Sequence, residues 1–209
     1  QPEVMTYLDG YQDQVSIAAV NSLTSLTLSG KAQTLEAIAQ TLERDNIFCK
    51  FLRVDYAFHS PQMEPVREDV LSSLQDLSPR PATVGLVSTV TGTWLNGNQW
   101  NADYVWQNVR QTVRFSDAID VLVQEGFDTF IEVSPHPVLS GYVQECLRHR
   151  DIPGITIPSL RRNTDEIETL FNALSNLYIQ GFPIDWQKIY PSGRKVTLPP
   201  YPWQREHCW

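Results

Sequence analysis

With 209 residues and 42% hydrophobic content, the chain can bury a sizeable core and is long enough for one or two domains. A formal net charge of −8 leaves no basic surplus to neutralise phosphates, which excludes a general nucleic-acid binder. No apolar run reaches the roughly 18–20 residues of a membrane span, and the first residues carry no charged-then-apolar leader, so a cytoplasmic protein without membrane association is expected.

After a polar opening at residues 7–14, residues 15–20 and 23–28 are β-favouring runs joined by Asn21-Ser22, a hairpin pattern. Ser29-Gly30 ends the second run, and residues 31–44 carry Leu35, Ile38 and Leu42 at helical spacing. Residues 48–54 read as a third strand. This β-β-α-β order suits a small split-βαβ sheet of the ferredoxin-like kind, without its opening elements, over residues 1–55.

Directly after that run comes Tyr56-Ala57-Phe58-His59-Ser60-Pro61, the most informative stretch of the chain. A histidine between an extended run and a helix start can present a ring nitrogen to a cleft while the backbone holds it rigid. Its ring titrates near neutrality, as a general base must. Acyl transfer also needs a nucleophile, and no G-x-S-x-G elbow occurs anywhere in the chain. Ser60 neighbours His59, but adjacent side chains on extended backbone face opposite ways. The chain reads as one half of an active site.

Pro61 suits a first helical turn, and residues 63–77 continue as a helix ended by Ser78-Pro79. Residues 83–90 read as a buried strand, with a turn at Thr91-Gly92. Residues 102–109 and 116–124 read as helices, the second with Ser116 as cap and Gly126 as stop. A short strand at 130–133 stops at Ser134-Pro135-His136-Pro137, and 138–147 is a further helix. Strands alternating with helices suggest a parallel sheet covered on both faces. Residues 165–179 form an amphipathic helix with Leu170, Leu174 and Leu177 on one face and Gly181 after it. The closing run, 198–209, is rich in proline and aromatics. It must be extended, and its rings are costly to leave in water, so it is expected along the surface of another module.

Four segments in this order resemble the acyltransferase domain of a modular type I polyketide synthase, continuing into its post-acyltransferase linker. They are Ser16-Ile17-Ala18-Ala19-Val20-Asn21 with Leu28-Ser29-Gly30, Tyr56-Ala57-Phe58-His59-Ser60, Asn108-Val109-Arg110-Gln111-Thr112-Val113-Arg114-Phe115, and Ile131-Glu132-Val133-Ser134-Pro135-His136-Pro137-Val138-Leu139. Ser159-Leu160-Arg161-Arg162, Ile184-Asp185-Trp186 and Tyr201-Pro202-Trp203-Gln204-Arg205-Glu206 are similar to the linker. The resemblance implies an α/β architecture: a partial ferredoxin-like subdomain (1–55), the C-terminal part of an α/β-hydrolase-like acyltransferase core (56–158), and a linker (159–209).

The resemblance also implies the chemistry. A serine takes a malonyl-type group from coenzyme A and passes it to the phosphopantetheine thiol of an acyl carrier protein, with a histidine as base and backbone amides for the oxyanion. By position His59 is that base, and Asn108 matches the residue whose backbone carbonyl fixes the tautomer. The serine elbow, the oxyanion glutamine and the substrate-pairing arginine have no matching positions here, so the resemblance implies a fragment that is inactive alone. No bound cofactor is implied; the phosphopantetheine arms carry the acyl group. Implied partners are the N-terminal acyltransferase half, an adjacent ketosynthase and linker, the carrier protein and the acyl-CoA, within a homodimeric synthase. In this family the residues ending at the histidine track extender choice. Tyr56 follows the methylmalonyl pattern and Phe58 the malonyl one. Phe58 stands nearest the base, and its ring fills the volume an α-methyl needs, so malonyl is expected.

Other candidates have plainer readings. His136 sits where loops often carry function, but Pro-His-Pro restricts the backbone and seats the next helix, which favours a structural turn. Cys146 and His149 have a C-x-x-H spacing; His207 and Cys208 are the other soft ligands and lie in a different zone, so no metal is expected. The three cysteines, Cys49, Cys146 and Cys208, are far apart and suit reduced thiols. Glu145 and Arg148 read as a solvated helix face, Arg114 as an exposed helix-start arginine, and Trp94, Trp100 and Trp106 as core and edge packing rather than a base-stacking platform. A rival to the enzyme is a non-catalytic acyltransferase-derived module that docks neighbouring domains. A G-H-S-x-G elbow upstream would discriminate the two.

Overall fold

The computed structural model describes residues 2–194 and 196–206. Its first layer is an antiparallel hairpin, β1 (Val15–Val20) and β2 (Leu26–Gly30), flanked by α1 (Pro2–Leu8) and α2 (Ala32–Arg44). The turn takes five residues because the Asn21 and Ser22 amides both donate to the Ser25 carbonyl, at 3.0 and 3.2 Å, so the second strand starts at 26 rather than 23. Ile38 and Leu42 of α2 close a core with Val15 and Leu8, and Leu35 packs against it. A bulge between Ile17 and Ala19 leaves Ala18 out of the β1–β2 ladder.

The strand expected at 48–54 does not form. Phe48, Phe51, Leu52 and Val54 are exposed, Phe48 to 88%. Residues 48–54 enter no ladder or bridge among the described residues, and a strand without a partner leaves its backbone groups unpaired. The helix expected at 63–77 is also broken up. It begins as a 3-10 helix, Pro61–Val66, with Pro65 inside it, and becomes α3 only at Arg67–Ser73. The long strand expected at 83–90 shrinks to β3 (Val87–Ser88), which pairs with β4 (Thr93–Trp94). The buried Ser88 hydroxyl accepts from the Val90 and Thr91 amides and Gly92 adopts φ +69, so the chain doubles back at once.

Helices α4 (Ala102–Arg110) and α5 (Phe115–Gln124) follow, then β5 (Thr129–Glu132), α6 (Ser140–His149) and β6 (Ile155–Pro158). β5 and β6 pair in parallel with α6 as the crossover, and β6 is a strand the sequence did not announce. Ile119, Val143, Cys146, Leu147 and Phe130 form the core beneath α5 and α6. The parallel pairing matches the expectation, while among the described residues Ile131 is half exposed and Val133 just beyond the strand is 85% exposed. Ser116 is not a cap; it is buried inside α5, where Arg114 occupies the N-cap position. Glu145 is not a solvated residue either. It accepts from Thr24 and pairs with His149, docking the hairpin turn on α6, and Cys146 Sγ lies 3.6 Å from the Asn21 carbonyl.

Helix α7 (Glu166–Ile179) is capped by Asp165, which accepts from the Glu168 amide at 2.9 Å, and ends before Gly181 at φ +87. Leu174 and Leu177 are half-buried, but Leu170 of the expected apolar face is 52% exposed. After α8 (Trp186–Ile189) the described tail carries no helix or strand, and Tyr201 and Trp203 stack edge-on at 5.1 Å, both exposed. His207, Cys208 and Trp209 of the expected tail lie outside the described residues. No helix among the described residues is long and apolar enough to cross a membrane.

The Ser134–Pro137 turn is built around Glu132. Its carboxylate accepts from the amides of Val138, Leu139 and Ser140 and from the Ser140 hydroxyl, at 2.6–3.2 Å, so it sits on the start of α6. Desolvation opposes ionisation, but the Ser140 hydroxyl and the three amides together outweigh it, and they hold this carboxyl at about 2 against an ordinary 4.5. A lowered carboxyl pKa stabilises the fold above the unfolded value and loses that contribution as pH falls towards 2. Glu132→Gln in the intact domain should cost about 1–3 kcal/mol at neutral pH. Its stability, measured by urea unfolding, should fall less steeply than the wild type's between pH 5 and 2. Equal slopes would remove Glu132 as the α6 anchor.

Candidate active site

His59 lies between the exposed run 48–54 and the 3-10 helix, and its backbone is left-handed, φ +64. That conformation costs a non-glycine residue about 1–2 kcal/mol, although histidine tolerates it better than most. Local contacts hold it there. The His59 amide donates to the Val109 carbonyl at 2.9 Å, and ring Nδ1 lies 2.7 Å from the Gln111 carbonyl. Both carbonyls belong to the end of α4, where the last turn of a helix leaves acceptors without intrahelical partners. On the other side, Ser60 caps the 3-10 helix, accepting from the Gln62 amide while donating to the Ala57 carbonyl at 2.7 Å.

A carbonyl can only accept, so Nδ1 carries the proton and Nε2 keeps its lone pair. This is the tautomer a general base requires. The carbonyl is not that of Asn108, as the sequence suggested, but that of Gln111. Asn108 is inside α4, whereas Gln111 is its C-cap with extended ψ of 162°, so the Gln111 carbonyl turns off the helix axis. Gln111 directly follows the helix, which ends at Arg110 rather than at 109 as the sequence suggested.

Residues around Gln111 are pinned from several directions. The Gln111 amide donates to Gln107, the Thr112 hydroxyl donates to the Ile17 carbonyl at 2.7 Å, and Val113 exchanges bonds with Ala18 and Val20 of β1. Arg114 donates to the Thr91 carbonyl at 2.8 Å and pairs with Asp117 at 2.7 Å. That leaves Arg114 as a helix-start arginine occupied by its own neighbours.

Phe58 meets His59 edge-on at 6.3 Å between ring centroids, and Tyr56 packs on Phe58 at 4.5 Å. Both aromatic rings are largely exposed, so they form one open wall beside the imidazole. Ser60 is fully buried and bonded on both sides, which disqualifies its hydroxyl as a nucleophile. A depression of about 350 Å³ at the end of α6, lined by Gln144, Leu147, Arg148 and Asp151, includes none of the residues that hold His59.

The remaining candidates do not join the site. His136 Nδ1 accepts from the Arg162 amide at 3.4 Å and its carbonyl accepts from Ser134, a turn role. Cys146 is fully buried against Ser116 and Asn21, and burial raises its thiol pKa. Cys146 and His149 do not converge on a metal: no group of three potential ligands occurs among the described residues. Cys49 packs against α2, and His207 and Cys208 lie outside the described residues. Trp106 is buried, whereas Trp94 and Trp100 sit half-exposed at edges.

Burial lowers the His59 pKa below the ordinary 6.5, and the bond to Gln111 opposes it. Burial thus favours the neutral ring. Because the unfolded chain binds this proton more readily, the stability carried by neutral His59 is present above 6.5 and declines as pH falls below it. In the intact domain, the His59 imidazole resonance should titrate below 6.5 by NMR; a midpoint above that value would mean that burial does not govern this ring.

The family model described as "Acyl transferase domain" matches residues 3–182. The chain is 37% identical over 201 residues to erythronolide synthase EryA2 of Saccharopolyspora erythraea, covering 95% of this chain and 6% of that protein. It is also 37% identical over 210 residues to polyketide synthase GfsB of Streptomyces halstedii, covering all of this chain and 4% of that protein. Among solved structures, the acyltransferase domain from module 8 of the salinomycin polyketide synthase superposes with a TM-score of 0.86 at 35% identity, over 89% of this chain and 44% of that one. The chain thus spans a small part of these synthases and under half of that domain.

Proposed function

Because the chain belongs to the acyl transferase domain family, among the domains of modular polyketide synthases, we propose that it is the C-terminal part of a domain that loads an extender unit onto an acyl carrier protein. The observation that carries this reading is the His59 ring, fixed by Gln111 with Nε2 left basic. A serine from the rest of the domain would lose its proton to Nε2 and attack the thioester carbonyl of the acyl-CoA. The histidine would then protonate the departing coenzyme A thiolate. The second half-reaction repeats these steps with the carrier's phosphopantetheine thiol as nucleophile, regenerating the serine.

In this reading residues 1–55 are part of a ferredoxin-like subdomain, 56–158 part of the α/β-hydrolase-like core, and 159–209 a linker. The exposed side chains of Ile131 and Val133 suit cover by the remaining half of the domain. The exposed Tyr201 and Trp203 suit docking on a neighbouring synthase domain such as a ketosynthase. No bound cofactor is required, and a cytoplasmic, homodimeric synthase is the setting.

His59→Asn tests the base, since asparagine accepts a left-handed backbone and the fold should survive. In the full-length protein it should reduce transfer from malonyl coenzyme A to the carrier at least ~10²-fold. Near-wild-type transfer would remove His59 from the mechanism.

The aromatic wall supports malonyl as the extender. Phe58 is the ring next to His59, and Tyr56 reaches the imidazole only through Phe58. A rigid wall excludes an added α-methyl more strongly than a lost contact would. With malonyl and methylmalonyl coenzyme A in competition, the full-length wild type should prefer malonyl. Phe58→Ser should admit more methylmalonyl at a lower total rate. A wild-type preference for methylmalonyl would overturn the steric assignment.

A further inference from the structure

The hydrogen bond that sets the His59 tautomer comes from a segment with no regular structure, residues 111–114 between α4 and α5. An isolated carbonyl in such a segment would swing with its peptide plane. The Gln111 carbonyl shares that rigid plane with the Thr112 amide, so whatever fixes Thr112 also fixes the direction of the carbonyl. Thr112 is fixed by β1. Its hydroxyl donates to the Ile17 carbonyl at 2.7 Å, at the residue where the β1–β2 register slips. The bulge releases Ala18 from β2, and its carbonyl accepts from the Val113 amide at 2.8 Å, while Val20 donates to the Val113 carbonyl at 2.9 Å. Bulges beside active sites often re-aim backbone in this way.

We propose that Thr112 is a positioning residue for the proposed catalytic histidine: its hydroxyl, clamped on the bulged β1 strand, holds the Gln111–Thr112 peptide so that the Gln111 carbonyl takes the Nδ1 proton of His59. The inference rests on the acyl-transfer reading of His59. It assigns a catalytic purpose to the hairpin beyond its own core and its docking on α6. The Val113 amide and carbonyl bond to β1 and fix the peptides on either side of Val113; the Thr112 hydroxyl adds a restraint one residue earlier, next to the Gln111–Thr112 peptide. The bonded pair Glu64–Arg110, which joins the 3-10 helix to α4, is mutually neutralised, so burial and the Gln111 carbonyl remain the influences on the ring.

Thr112→Val keeps the branched shape and removes the hydroxyl; Thr112→Ser keeps the hydroxyl and removes a methyl group. Both are compared in the full-length protein for malonyl transfer to the carrier across pH. Rates are referred to folded protein measured by circular dichroism, so that lost fold does not count as lost activity. Thr112→Val should lower kcat about three- to tenfold with KM for malonyl coenzyme A little changed, and should move the acid limb of kcat/KM to lower pH, because a loosened carbonyl no longer favours the imidazolium. Thr112→Ser should keep the wild-type plateau and limb. A Thr112→Val profile that overlays the wild type overturns the proposal, and so does an equal loss in Thr112→Val and Thr112→Ser, which would point to packing rather than the hydroxyl. His59→Asn, run in parallel, separates the two claims. If it retains transfer, the role of His59 itself fails; if it is inactive while Thr112→Val is normal, only the positioning role fails.

Discussion

The short stretch from Gln111 to Arg114 is where the molecule is tied together. Within four residues it bonds to α4 through the Gln111 amide, to β1 through Thr112 and Val113, and to the Ser88–Gly92 turn through the Arg114 amide and guanidinium. The Gln111 carbonyl meets His59. The hairpin, the helical layer and the histidine therefore share one set of backbone hydrogen bonds. Such bonds are individually modest, near 1 kcal/mol each, but here they constrain one peptide from several sides at once.

That constraint explains how His59 sustains an uncommon backbone. A left-handed histidine persists only where its surroundings overdetermine it. Here its amide and its ring both bond to the end of α4, and Ser60 immediately starts the next helix. The strain places the imidazole beside the Tyr56–Phe58 pair rather than in the core. Half-burial lowers the proton affinity of the ring, and the Gln111 carbonyl limits the decrease.

A second electrostatic anchor organises the far side of the fold. Glu132 gathers the amides of Val138, Leu139 and Ser140, so the Ser134–Pro137 turn feeds α6 at a fixed angle. α6 then carries Glu145 and Cys146 against the hairpin turn. The motif Ile131–Leu139 is thus scaffolding, and His136 is one of its turn residues. The exposed apolar side chains at 48–58, on β5 and on α7 are surfaces this chain does not cover by itself. They suit a chain that spans under half of its solved relative.

The sequence by itself determined the elements whose signals are local. Leu35, Ile38 and Leu42 marked α2, Asp165 and Gly181 bracketed α7, and the hairpin followed from two β-rich runs around Asn21-Ser22. It also singled out His59, whose ring the Gln111 carbonyl holds, next to the buried Ser60. Strands were the poorest guesses, because a strand exists only with a partner: 48–54 found none, 83–90 kept two residues, and β6 appeared because β5 lay beside it. Tertiary structure alone decided that Gln111 rather than Asn108 faces the imidazole. The identity of a backbone acceptor depends on where a helix ends and which way its last carbonyls turn, and side-chain sequence does not encode that direction. Thr112 was invisible for the same reason: its hydroxyl bonds to the Ile17 carbonyl, 95 residues away, beside the bulge that leaves Ala18 out of the ladder.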